Sequence, residues 1–308
     1  MKKMLFALVA MVAMVGCSKD ELLEVDREQI AFGDVFVDNA TRADYSSGNT
    51  VESFKVYGTI SVPSLNTTAQ IFNGSTVERD GKANGVAWDC DNIQYWMPNA
   101  TYNFAAIVDG EAATTALPAT INHVVADGTA NKDLLYATAS VSTNPNAAPT
   151  GVNNNGVVAF NFSHLLSKIQ FKITNATNQT YQVTSIAVTG VAEDGAYTVS
   201  TGEWAKVGTD TTNLTFGTAT VAGGATVAAN ATRQILPVEQ TLAVTITYNV
   251  LDSNNQVVGT LTKSGTISSQ TFAKNTVYVV KATLTGTAID FSLGTVGVWG
   301  TEDGSITI

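Results

Sequence analysis

The feature that most constrains this chain is alternation with a period of two. Lys168-Ile169-Gln170-Phe171-Lys172-Ile173 alternates polar and apolar without a fault, and Leu242–Val250 places a large apolar residue at every second position. Shorter runs of the same kind occur at Phe54–Ile60, Tyr102–Val108, Val157–Phe162, Val183–Val188 and Val277–Leu284. Successive side chains on a strand point to opposite faces, so these runs read as half-buried strands. Helical periodicity is nearly absent. Turn formers separate the runs, among them Arg79-Asp80-Gly81, Asp109-Gly110, Asn153-Asn154-Asn155-Gly156 and Asp252-Ser253-Asn254-Asn255. Many short strands so punctuated predict an all-β chain of sandwiches or barrels. One polar face per strand predicts antiparallel sheets with one side solvated.

The start of the chain has a different character. Met1-Lys2-Lys3 precedes an apolar run from Met4 to Val15, which ends at Gly16-Cys17. The run is too short for a membrane-spanning helix, which needs about 20 apolar residues, and reads as an export signal. Met14-Val15-Gly16-Cys17 resembles the bacterial lipobox, in which the thiol is acylated and becomes the new N-terminus. Residues 1–16 are therefore expected to be a lipoprotein signal peptide and 17–27 a charged tether. Ser18-Lys19-Asp20-Glu21 resembles a surface-export signal of Bacteroidetes lipoproteins. With Cys17 carrying lipid, Cys90 has no cysteine left to pair with, so core burial must supply the stability.

A net charge of −10 disfavours nucleic acid as a partner. Charged residues make up only 14%, while Thr, Val, Asn and Gly abound, as suits extracellular β-structure. The Asn-, Pro- and Gly-rich stretch Thr143–Gly156 predicts a long surface loop, and a domain boundary is placed near residue 165. The expected division is 28–165 and 166–308.

No residue pattern calls for an enzyme or a cofactor. His123 and His164 each stand alone in sequence and read as structural. Asp89-Cys90-Asp91 and Glu302-Asp303-Gly304 gather carboxylates, but calcium loops use more oxygen ligands at fixed offsets, so turns are the expectation and no metal site is assigned. Cys90 reads as half-buried beside Trp88. Trp88, Tyr95 and Trp96 read as core packing, with an aromatic sugar platform as the alternative.

Several phrases taken in order resemble the FimA/Mfa-like fimbrillins of Bacteroidetes. They include Ile30-Ala31-Phe32 with Thr41-Arg42-Ala43, Tyr95-Trp96-Met97-Pro98, Asp133-Leu134-Leu135-Tyr136-Ala137 and Phe160–Ile169. Ile235-Leu236-Pro237, Asn275-Thr276-Val277-Tyr278 and the closing Val296-Gly297-Val298-Trp299 complete the series. The resemblance implies two transthyretin-like antiparallel β-sandwich domains in tandem. It also implies a fimbrial subunit that reaches the outer membrane as a lipoprotein. The same resemblance implies that an arginine-specific protease cuts it after the first strand and that it polymerises with other pilin subunits by donor-strand exchange, contributing to adhesion to a ligand on host or bacterial surfaces.

Under that reading residues 28–42 form a removable first strand, with Ile30, Phe32, Val35 and Val37 as its apolar side chains. The first pair and the second pair fall on opposite faces unless an extra residue at Gly33 or Asp34 makes a bulge. Cleavage is expected between Arg42 and Ala43, because Arg27 precedes the strand and a cut there removes only the tether. Ile289, Phe291, Leu293, Val296 and Val298 are either a donated strand or the last strand of their own domain. The competing function is a monomeric surface lipoprotein of similar fold that binds glycan.

Overall fold

A computed structural model describes residues 28–37, 51–79, 88–109, 116–152, 156–285 and 289–298. They form twenty strands, with no α-helix among the described residues. The first nine are β1 (Phe32–Val37), β2 (Ser53–Val62), β3 (Thr67–Arg79), β4 (Trp88–Cys90), β5 (Thr101–Val108), β6 (Thr120–Val124), β7 (Leu135–Thr143), β8 (Pro149–Thr150) and β9 (Val158–His164). There follow β10 (Ser167–Asn175), β11 (Thr180–Ala192), β12 (Asp194–Thr198), β13 (Glu203–Lys206), β14 (Thr211–Thr215) and β15 (Ala219–Val221). The last are β16 (Thr226–Ile235), β17 (Glu239–Leu251), β18 (Val257–Thr271), β19 (Thr276–Leu284) and β20 (Ile289–Val298).

One continuous sheet organises the first half, in the order β1-β9-β7-β5-β2-β3-β4, with β8 added to β7. It folds over its own apolar face, so that strands distant in the sheet meet across a core. Phe54, Phe72, Phe104, Phe160 and Phe162 fill that core, each no more than 2% exposed. The facing layers expected of a sandwich are thus two parts of one sheet.

The second half has two separate sheets, β16-β10-β19-β20 and β14-β11-β17-β18, with β15 beside β11. The fault-free alternation of β10 buries Ile169, Phe171 and Ile173, and that of β17 buries Leu242, Val244, Ile246 and Tyr248. All seven belong to one core. Phe171 meets Phe216 across it with ring centroids 4.7 Å apart.

Two expectations need adjustment. Pairing is not antiparallel throughout, because β1 runs parallel to β9 and β10 parallel to β19. In both cases a long stretch of chain separates the partners, as parallel pairing requires. Residue 165 does lie between the last strand of the first sheet and the first of the second, but packing crosses it. Strand β6 pairs with β12 of the second half, in a three-stranded sheet β13-β12-β6. Ile121, Val125 and Leu134 join the second core. The path of the first sheet leaves β6 out, so its backbone groups find their partners in β12.

Polar contacts reinforce this junction. Arg233 Nε donates to Asp127 Oδ1 at 2.9 Å, and Thr215 donates to the same carboxylate through its amide and its hydroxyl. Burial works against the Asp127 carboxylate, yet these donors hold its pKa down at about 2. Asn131 and the backbone of Gln234 exchange two hydrogen bonds, at 2.9 and 2.7 Å. The Trp204 indole donates to the Leu165 carbonyl at 2.8 Å.

Candidate functional site: the seat of the first strand

Strand β1 lies at one end of the first sheet and pairs only with β9 there. Phe32 stands opposite Val158, Gly33 opposite Ala159, Val35 opposite Phe160 and Val37 opposite Phe162. Ala159 and Phe160 are consecutive, so Asp34 is the extra residue of a bulge between Gly33 and Val35. An inserted residue reverses the alternation that follows it. Ile30, Phe32, Val35 and Val37 consequently all enter one core, at 2%, 3%, 6% and 2% exposure. Gly33 passes close to the neighbouring strand, where an added Cβ would lie 3.1 Å from Val157 Cγ2.

Phe32 is the centre of the seat. Its ring lies 5.3 Å from Phe72, 5.7 Å from Phe104 and 5.9 Å from Phe160, rings carried on β3, β5 and β9. Such aromatic contacts are worth roughly 0.5–1.5 kcal/mol each beyond burial. Just ahead of β1 the backbone stitches the two ends of the rolled sheet together. Ile30 N donates to Gln94 O at 2.8 Å, and Trp96 N donates to Glu28 O at 3.1 Å. Gln29 and Tyr95 form an antiparallel bridge between these bonds.

Four buried side chains at about 1.5–3 kcal/mol each make this seat worth on the order of 10 kcal/mol before conformational entropy. A chain that lost the segment would expose an aromatic trough and the unpaired edge of β9. Unpaired strand edges of this kind are templates for pairing with another strand.

Of the residues singled out by sequence, Cys17, Arg42 and Ala43 lie outside the described residues, as does Glu302-Asp303-Gly304. Ile289–Val298 forms β20, which pairs antiparallel with β19 at the end of its sheet. Ile289 stands opposite Leu284, Phe291 opposite Ala282 and Leu293 opposite Val280. In this structure the segment therefore completes its own half, and it occupies an edge.

The remaining candidates take structural places. His164 is 2% exposed and hydrogen-bonded through Nδ1 to Asp133, itself 2% exposed. Burial pushes the His123 imidazole down, offset in part by Asp133 and Asp109. Cys90 is half-buried beside Trp88 in β4, and burial pushes its thiol up, which makes it a poor nucleophile. Trp96 is fully buried against Tyr102, and Trp88 packs on Phe54 with centroids 5.3 Å apart. Tyr95 alone of the three aromatics is well exposed, at 50%, so they form no shared platform. Among the described residues no group of three or more His, Cys, Asp or Glu side chains could hold a metal ion.

Sequence reasoning missed the walls of the seat. Phe54, Phe104 and Phe160 lay within runs already read as strands, so their inward positions offered a signal. Phe72 did not. Two register shifts between β2 and β3 break the alternation around it.

The fimbrillin-like family matches residues 41–299, and the chain belongs to that family. A solved fimbrial protein from Bacteroides vulgatus is similar in fold, with TM-score 0.59 and 15% identity over 87% of this chain and 99% of that one. A candidate cell adhesion protein from Bacteroides ovatus gives TM-score 0.59 and 16% identity over 90% and 99% of the two chains. Another from Bacteroides uniformis gives 0.54 and 17% over 87% and 96%. No curated protein matches the sequence.

Proposed function

We propose that this protein is a structural subunit of a surface fimbria that contributes to adhesion. It is exported as a lipoprotein anchored to the outer membrane through Cys17 and matured by an arginine-specific protease that hydrolyses the Arg42–Ala43 bond. It then polymerises by donor-strand exchange. Before the cut, β1 is tethered to β2 and held at high effective concentration over its own seat. After the cut that advantage is gone, and a strand from a neighbouring subunit competes for the trough.

The observation that carries this reading is the occupancy of the seat by four side chains from one short segment at the start of the chain.

A second observation supports one strand as the replacement. Phe291-Ser292-Leu293-Gly294-Thr295-Val296-Gly297-Val298 repeats the plan of Ile30-Ala31-Phe32-Gly33-Asp34-Val35-Phe36-Val37. Both run large apolar, small, large apolar, glycine, polar, valine, a variable position, valine. Both also carry a register irregularity past the glycine, at Asp34 directly after Gly33 in β1 and at Val296, two residues after Gly294, in β20. A strand built on the same plan fits the same trough. Leu293 of one subunit takes the place of Phe32 in the next, and Val296 and Val298 take those of Val35 and Val37. Among the described residues β20 is an edge strand whose ladder is with β19 alone.

N-terminal sequencing of assembled fibres tests the maturation step. Fibres should begin at Ala43; an intact lipidated Cys17 in the polymer, or a start far from Ala43, contradicts it.

A further inference from the structure

The outer face of the first sheet carries a depression of about 410 Å³ that the seat of β1 does not use. The ladder registers explain its shape. Thr59 stands opposite both Gln70 and Asn103, and Ser140 stands opposite Asn103, so four polar residues lie side by side across β3, β2, β5 and β7. In the next row Ala105 stands between Tyr57 and Thr138. Alanine there, between a tyrosine and a threonine, makes the floor low. Tyr57, Leu117 and Tyr136 wall one end and pack against the second core, which fixes them.

The amides on the rim are pre-oriented. Gln70 Nε2 donates to the Phe72 carbonyl at 3.1 Å, which leaves its Oε1 as an acceptor. Asn103 Oδ1 lies 3.1 Å from Ser140 Oγ, which donates to it, so the Asn103 Nδ2 remains a donor. Thr59 and Thr138 add hydroxyls. Among the described residues no charged side chain lines the depression. Its volume is within the range of about 300–1,000 Å³ usual for small-ligand sites.

We infer that this depression is a binding site for a neutral sugar residue. The chemistry points there for three reasons. Fixed amide and hydroxyl groups spaced by strand pitch, about 4.8 Å, suit a ring bearing several hydroxyls. A tyrosine and leucine wall suits the apolar C–H face of such a ring. The uncharged lining gives a carboxylate or phosphate nothing to pair with, and burying an unpaired charge is costly. The site belongs to the uncut subunit, so it stands or falls independently of cleavage and polymerisation.

The test is saturation-transfer NMR on the intact mature chain with methyl glycosides of glucose, galactose, mannose, fucose, N-acetylglucosamine and, as the anionic comparison, N-acetylneuraminic acid. At least one neutral glycoside should give a saturating signal. Asn103→Ala, an exposed change that should not disturb folding, should weaken binding about tenfold by removing a directed donor. Ala105→Leu, checked for native thermal unfolding, should abolish it by filling the floor. Asn249→Ala, on the outer face of the second half, should bind as the parent does. Arms with a host glycoprotein and with a bacterial polysaccharide bearing the bound sugar separate the two sources, and binding to either carries the inference. Silence from every neutral glycoside, preference for the anionic one, or binding unchanged by both Asn103→Ala and Ala105→Leu overturns it.

Discussion

Phe32 of β1 meets Phe72 of β3 edge-on, with ring centroids 5.3 Å apart and planes at 73°, although their strands lie far apart in the order of the first sheet. The contact exists because the sheet rolls over and the leading strand supplies the ring at its centre. Truncating that ring should leave a large cavity. Phe32→Ala is expected to destabilise the uncut protein by about 3–5 kcal/mol. Urea unfolding of parent and variant checks this, and a loss below about 1 kcal/mol would show that the ring is not central.

The bulge is a sharper handle than any single side chain. Inserting one alanine after Asp34 adds a second extra residue and turns Val35 and Val37 to the opposite face from Ile30 and Phe32. The insertion should cost several kcal/mol, about two buried valines' worth, whereas Asp34→Ala, which keeps the register, should cost far less. Comparing the two by thermal unfolding separates backbone register from side-chain chemistry. Equal effects would contradict the account of the bulge.

Asp127 ties the 120–134 segment to the second half, and its hydrogen-bond donors hold its folded pKa at about 2, below the ordinary aspartate range. Such a group stabilises the fold above the unfolded pKa, and the contribution is lost as pH falls through the folded value. Its share at neutral pH, discounted for partial exposure, is on the order of 1–2 kcal/mol. Asp127→Asn should therefore be less stable than the parent at pH 7, with the difference shrinking between about pH 4 and pH 2. Urea midpoints measured across that window check the sign; a gap that widens on acidification is the contrary result.

The repeat between Phe291–Val298 and Ile30–Val37 makes donation and acceptance separable. Leu293→Asp places a charge at the position that should enter the Phe32 trough, and leaves the trough itself untouched. Cut alone, this variant should form no ladder. Mixed with cut parent, it should end chains and shorten the polymers, read as a shift in length distribution by electron microscopy. Polymers of parental length from the variant alone would rule out β20 as the donor.

Much of this is legible in the sequence, and the physical reason differs from place to place. Strands β10 and β17 each bury one face and solvate the other, so their alternation survives intact. The bulge in β1 is announced by Gly33 between two mismatched apolar pairs. Phe72 is hidden because register shifts scramble the period on β3. The transfer of Ile121, Val125 and Leu134 to the second core is hidden for another reason. It depends on β6 finding β12, a pairing between distant stretches that no local pattern records. Parallel seating of β1 on β9 is likewise non-local. The sugar depression depends on Ala105 falling between Tyr57 and Thr138 across three strands, which only the register reveals.

The central claim is that the first strand is a temporary occupant of a seat meant for a neighbour. The most direct measurement is to treat the purified mature chain with an arginine-specific protease and run it on an unboiled denaturing gel, beside Arg42→Ala. The account predicts a ladder of multimers from the parent, each rung beginning at Ala43, and a single monomer band from Arg42→Ala. A parent that is cut after Arg42, sheds or keeps its first strand, and remains a monomer would contradict it.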